Sequence, residues 1–245
     1  MTYTKNDGNS SAYSNEFFNN EWRIYQKVLN NNYLRHGEIY SILHKLLVNY
    51  FQKSFSMLDL GCGDCTFITQ ALLNTTITEY QGVDLSESAL KIARSNMASL
   101  DCEKNFIQGN FLEVVPELVN QRHDRFDIIV ASYALHHLSF EQKDLMIGQL
   151  ASLLQAGGAF ILIDVVRRKE EVREVFMKRY LEGVRKHWSL LTPQEYLMTE
   201  NHISSQDFPE TQEALYEISR KHNFTRAECL YCDPLDVIQL LCFYR

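Results

Sequence analysis

The sequence predicts a doubly wound α/β domain. It centres on a mostly parallel seven-stranded sheet with an antiparallel last strand, plus an N-terminal helical cap and a helical insert after strand 5. Three observations carry this. Short apolar runs alternate with helical stretches from Phe55 to Val166, and such alternation implies right-handed crossovers between parallel strands. The runs are near-continuous rather than alternating, as in strands covered on both faces. Two further runs close the chain, joined through Asp233-Pro234, a turn tight enough to require antiparallel pairing.

The elements follow in order. Residues 1–54 read as an N-terminal tail and helical cap, and 55–245 as the main domain. Residues 1–20 are rich in Asn and Ser, which suits a disordered tail or a flap that orders over a ligand. From 21 to 50 a helical pattern places Ile39, Ile42, Leu43, Leu46, Leu47 and Tyr50 on one stripe, with a break near Asn30–Asn32 or Gly37. Ser56–Leu60 is the first strand, Thr66–Leu73 a helix and Tyr80–Asp84 the second strand. Ser86 and Glu87 start a helix with Leu90, Ile92, Ala93 and Met97 on its apolar side. Asn105–Gln108 and Phe126–Ala131 are the third and fourth strands, and Phe140–Leu154 is helical. Gly157-Gly158 makes a turn before a fifth strand, Ala159–Val166. At about 168–206 the alternation stops, and one long mixed-charge helix with Val172, Val175, Phe176, Tyr180, Leu181 and Val184 on its apolar side is expected as a lid. A helix over Asp207–His222 and strands at Phe224–Tyr231 and Val237–Tyr244 complete the chain.

Composition narrows the function. With 245 residues, 45% hydrophobic and 22% charged, a substantial core forms without disulfides or metal. A net charge of −7 argues against a generic nucleic-acid partner, which needs a basic surface. No apolar run approaches the roughly 20 residues that span a bilayer, and the N-terminus lacks a signal-peptide core. The expectation is a cytoplasmic protein with no membrane partner and reduced thiols. The pairs Cys62–Cys65 and Cys229–Cys232 are separated by most of the chain, unlike a zinc ribbon, so no metal is expected.

The first strand-to-helix turn, Asp59-Leu60-Gly61-Cys62-Gly63-Asp64-Cys65-Thr66, is where a parallel sheet binds ligands. Its glycines permit close backbone approach. Thr66 stands where a dinucleotide fingerprint has its third glycine, and no phosphate loop follows. Asp59 favours a cationic ligand group. Asp84 ends the second strand and can accept two hydrogen bonds from a ribose diol. A positively charged nucleoside without phosphates suits this pair.

The chain resembles the class I S-adenosylmethionine-dependent methyltransferases, small-molecule type. The resemblance rests on MLDLGCGDCT (57–66), GVDLS (82–86), FIQGNF (106–111), FDIIVASYALHHL (126–138) and GGAFILID (157–164), and covers roughly 55–244. It implies a Rossmann-like fold and S-adenosyl-L-methionine as cofactor, with S-adenosyl-L-homocysteine as product. Gly61 and Gly63 would meet its amino-acid part, with Asp59 near the ammonium. Asp84, with Leu85 beside it, would hold the ribose, and Asn110 and Phe111 would bracket adenine. Ser132 would lie near the methionine moiety. Asn110 departs from the family's usual Asp, but its carbonyl can accept from the adenine amino group.

The reaction implied is methyl transfer to an O or N nucleophile of a small molecule by in-line displacement. His136 or His137 is the candidate base and Tyr133 a candidate for shaping the site, although each also reads as ordinary packing. Substrate candidates are Tyr25, Tyr33, His36, Tyr133 and Arg167. Arg168, Arg173, Tyr180 and His187 fit either an anionic substrate or a solvated helix. The rivals are a non-catalytic methyltransferase-like binding or regulatory subunit, a protein or RNA methyltransferase, and a nicotinamide oxidoreductase.

Overall fold

A computed structural model describes residues 23–121 and 125–245 of the chain. The expectation for residues 1–20 lies outside these. Helix α1 (23–30) leads through a turn into α2 (His36–Tyr50), which confirms the break. Seven strands follow: β1 (Phe55–Leu60), β2 (Ile77–Asp84), β3 (Glu103–Gln108), β4 (Phe126–Ser132), β5 (Leu154–Val165), β6 (Arg226–Cys232) and β7 (Ile238–Tyr244). Their order is β3-β2-β1-β4-β5-β7-β6. The pairs from β3 to β5 are parallel, and β7 runs antiparallel to both β5 and β6. Order reverses between β1 and β4, and ligand sites in open α/β sheets form beyond the carboxyl ends of strands at such a point.

Strand parity builds two cores. Met57, Ile128, Val130, Ile161 and Leu240 face α2, α3 (Thr66–Leu72), α4 (Glu87–Asn96) and α7 (Arg173–His187). Leu58, Ile129, Phe160, Leu162 and Leu241 face α5 (Phe111–Gln121), α6 (Phe140–Leu153) and α9 (Gln212–Lys221). Burial on both faces explains why the strands lack polar alternation. Among the described residues, no helix is long and apolar enough to cross a membrane.

Several expectations are corrected. Helix α5 was not predicted, and Pro116 within it interrupts the helical signal. The insert holds two helices, α7 and α8 (Pro193–Gln206), separated at Trp188–Leu191. The capping box of Thr192 and Glu195, with Pro193 at the first helical position, starts α8 afresh. Val172 and Val175 lie more than half exposed rather than on the buried stripe. Gly157 takes φ +79° inside an irregular start of β5 rather than in a separate turn. Residues 207–211 precede α9 as extended chain, with Thr211 capping that helix.

Candidate active site

Beyond Leu60, the chain turns through Gly61 (φ +68°) and Gly63 (φ +54°), a left-handed geometry that favours glycine. Asp84 pins this turn. One carboxylate oxygen accepts the Gly63 N–H and the other the Ser86 N–H, each at 2.8 Å. Each oxygen keeps a further acceptor site. Gly61, Gly63, Asp84, Leu85, Asn110, Phe111 and Ser132 all line one cavity of about 780 Å³. Ser132 accepts a hydrogen bond from the Tyr40 hydroxyl at 3.0 Å. The Asn110 carbonyl accepts the Leu112 N–H at 3.0 Å, so it caps the start of α5 and has one acceptor site left.

Asp59 is the correction in this group. It lies beneath the turn, 3% exposed, and accepts the Tyr80 hydroxyl at 2.7 Å. Strand parity turns it toward the α2–α3 side, and burial pushes its pKa up to about 7. Asp64 lines the cavity instead, with one oxygen accepting the Thr66 N–H at 3.0 Å. The expectation missed Asp64, Tyr40 and Ile92. Asp64 was visible inside the glycine turn. Ile92 was placed on the packed side of α4, but it is 38% exposed and forms cavity wall.

The cap closes this cavity from above. His36 is 5% exposed and stacks on Phe67 at 4.8 Å. Its Nδ1 is buried without a hydrogen-bond partner, and burial lowers its pKa to about 4. Tyr25 stands over Gly63, where an added Cβ would lie 3.5 Å from its hydroxyl. Tyr133, at φ +50°, donates its hydroxyl to the Leu34 carbonyl and ties the loop after β4 to the cap.

A second cavity of about 770 Å³ adjoins the first, and Tyr25, Leu34, Tyr133 and His137 line both. His136 borders only the second. Its Nδ1 is paired with Asp164, and its Nε2 lies 3.6 Å from Asp207 Oδ1. Burial opposes a charge there, but the two carboxylates outweigh it, so His136 holds its proton more tightly than an ordinary imidazole. His137 shifts the other way. Desolvation, then the charge of His136, hold it below the usual value. With Nδ1 donating to the Gln206 carbonyl at 3.2 Å, Nε2 of a neutral His137 is an acceptor. His136, His137 and Asp207 bring metal-competent atoms within 4.8 Å of one another. His136 pairs with Asp164 through Nδ1, while Asp207 Oδ1 is buried without a hydrogen-bond partner.

Two substrate candidates sit elsewhere. Tyr33 stacks on Trp188 at 5.3 Å and accepts the Leu190 N–H at 3.0 Å, so it packs the cap against the insert. The Arg167 guanidinium is engaged by the Pro209 and Glu171 carbonyls and the Glu210 carboxylate. Arg168 pairs with Asp236, and Arg173 donates to the Asp207 and Ser204 carbonyls. The Cys62, Cys65, Cys229 and Cys232 thiols are free.

The model of the methyltransferase domain family matches residues 51–233. An uncharacterized methyltransferase of Bacillus mycoides is 28% identical over 149 residues, covering 60% of this chain and 65% of that protein. A relative in Bacillus anthracis matches to the same extent, so the chain spans just under two thirds of the length of these curated relatives. An O-methyltransferase family protein of Burkholderia thailandensis superposes with a TM-score of 0.62 at 17% identity, covering 85% of this chain and 55% of that one. Magnesium protoporphyrin IX methyltransferase of Synechocystis, solved with bound S-adenosylhomocysteine, superposes with a TM-score of 0.60 at 16% identity over 94% of both chains. At these identities the likeness is one of fold.

Proposed function

The chain belongs to the methyltransferase domain family, and from that premise we propose that it is an S-adenosylmethionine-dependent methyltransferase that methylates an O or N nucleophile of a small molecule, with His137 as the proton acceptor. The observation that carries this is the pair of adjoining cavities meeting at Tyr133 and His137. One has the chemistry for the cofactor, and the other is an adjoining, largely apolar cleft for an acceptor.

The first cavity fits the cofactor on this chain's own atoms. The left-handed glycines let the backbone approach a ligand closely, although their N–H groups are donated to the Val83 carbonyl and to Asp84, and Asp84 keeps acceptor capacity for a diol. Gly61 and Gly63 would hold the amino-acid part, Asp84 the ribose, and Asn110, Phe111 and Leu85 the adenine. Ser132, oriented by Tyr40, would lie near the methionine moiety. Bound there, S-adenosylmethionine supplies a methyl group on a positively charged sulfur. The chain's task is to align the acceptor and exclude water. As an acceptor oxygen gains carbon, its proton becomes strongly acidic, and a neutral imidazole is base enough to take it. His137 suits that step. Desolvation, then the charge of His136 held by Asp164, disfavour the charged form of its ring.

Calorimetric titration with S-adenosylhomocysteine tests the cofactor half, with NAD as control. Micromolar binding to the wild type, weakened at least tenfold in Asp84→Ala, is expected. Absence of binding to the wild type overturns the proposal in favour of a binding module that keeps only the fold.

A further inference from the structure

We infer that the methyl acceptor is an uncharged hydroxyl compound with a ring-bearing apolar body, held in the second cavity. This rests on the functional reading above and specifies its substrate class. The wall bears Ile24, Val28, Val165, Tyr180, Trp188 and Met198, and among the described residues no Lys or Arg side chain lines it. Three arginines that follow β5 are committed elsewhere. Arg167 and Arg173 serve backbone carbonyls and Glu210, and Arg179 is paired with Glu171. The charge of His136 is shared between Asp164 and Asp207. A carboxylate or phosphate acceptor would therefore meet no Lys or Arg counter-charge among the described residues of this wall, at a desolvation cost.

Asp207 is the cavity's one carboxylate among the described residues, and its Oδ1, buried without a hydrogen-bond partner and 3.6 Å from His136 Nε2, is an acceptor site for a neutral donor such as a hydroxyl. Desolvation disfavours its charged form, which weakens its attraction for an ammonium. Four aromatic rings, Tyr25, Tyr133, Tyr180 and Trp188, border the space, which favours a flat ring over a flexible chain. Its volume of about 770 Å³ falls in the roughly 300–1,000 Å³ range of sites that enclose small molecules. At the neck, His137 Nε2 offers an acceptor atom, so the ligand's polar end must donate a proton, as a hydroxyl does.

The test uses the full-length protein saturated with S-adenosylhomocysteine and calorimetric titration of three probes: 1-naphthol, 1-naphthoate and 1-naphthylmethylammonium. The neutral hydroxyl is expected to bind at least tenfold more tightly than either ion. Met198→Arg places a cation in the wall, and the preference between naphthol and naphthoate should then reverse. The S-adenosylhomocysteine titration reports folding of the variant and stands apart from the acceptor result. Equal or tighter binding of either ion to the wild type overturns the inference, as does failure of all three probes while S-adenosylhomocysteine still binds. Loss of S-adenosylhomocysteine binding by the wild type sinks the cofactor reading itself.

Discussion

Two side chains, the exposed His137 and the buried Asp59, set opposite demands on protons. His137 faces both cavities, and its environment disfavours the charged ring. His137→Gln should lower kcat for methylation of 1-naphthol by about 10²–10³-fold, the usual scale of general base loss. The Kd for S-adenosylhomocysteine should stay within about twofold, since the ring's proposed work is on the acceptor. An unchanged kcat removes His137 from the chemistry. Asp59 carries the other demand. Its folded pKa is about 7 against an ordinary 3.8 because burial disfavours the carboxylate. Between those values the folded chain keeps a proton that the unfolded chain has lost. Stability from this group is therefore full below about pH 4 and falls as pH rises toward 7. Asp59→Asn should flatten that slope and stabilise the protein at pH 8 by about 2–4 kcal/mol. Urea unfolding at pH 5 and pH 8 checks this, and an equal pH dependence in both proteins refutes it. The sequence shows an acid at the strand end but not its direction. Only the parity of β1, which puts Asp59 on the face of Met57, sends it into the core.

At the scale of elements, what was legible follows from local chemistry. Ser86, accepting the Ala89 N–H at 3.2 Å, starts α4 where a Ser-Glu signal stood. The Asp233-Pro234 turn joins antiparallel β6 and β7 as its residues require. The glycine turn and Asp84 meet at the cavity because a tight turn and a strand end leave the chain few alternatives. The misreadings share a different cause. Helix α5 hides behind Pro116, and the break between α7 and α8 hides inside a stretch of helix-forming residues. A Thr-Pro-x-Glu cap is visible there only when read as a start signal. Arg167 and Tyr33 misled because their reach depends on tertiary neighbours, Glu210 and Trp188, more than 20 residues away in the chain. The wall of the first cavity is built from contiguous motifs and can be read. The wall of the second is assembled from α1, the loop after β4, β5, α7 and α8, and no local pattern announces which of their faces will meet.

For the whole molecule, the first cavity joins parts that the chain keeps far apart. The glycine turn after β1 and the end of β2 form its floor, and His36 and Tyr40 of α2 lie across it. Tyr133–Leu34 and Tyr40–Ser132 tie the cap to the loop after β4, while Lys27 pairs with Glu195 at 2.7 Å and ties it to α8. A ligand touching both the turn and the cap therefore binds only when the sheet and cap are assembled, and has almost no affinity for the unfolded chain. Under that condition stabilisation follows mass action, about 2.7 kcal/mol at a ligand concentration of 100 Kd. For a chain of this size each kcal/mol moves Tm by about 2–4 °C. Saturating S-adenosylhomocysteine should then raise Tm by about 5–10 °C in a single transition. Asp84→Ala should lose most of this shift while its ligand-free Tm stays close to that of the wild type, because Asp84, Gly63 and Ser86 are all only partly buried and line the cavity, where water can replace the lost hydrogen bonds. A ligand-induced shift in which the cap melts separately from the sheet would show that the cap does not take part in holding the cofactor.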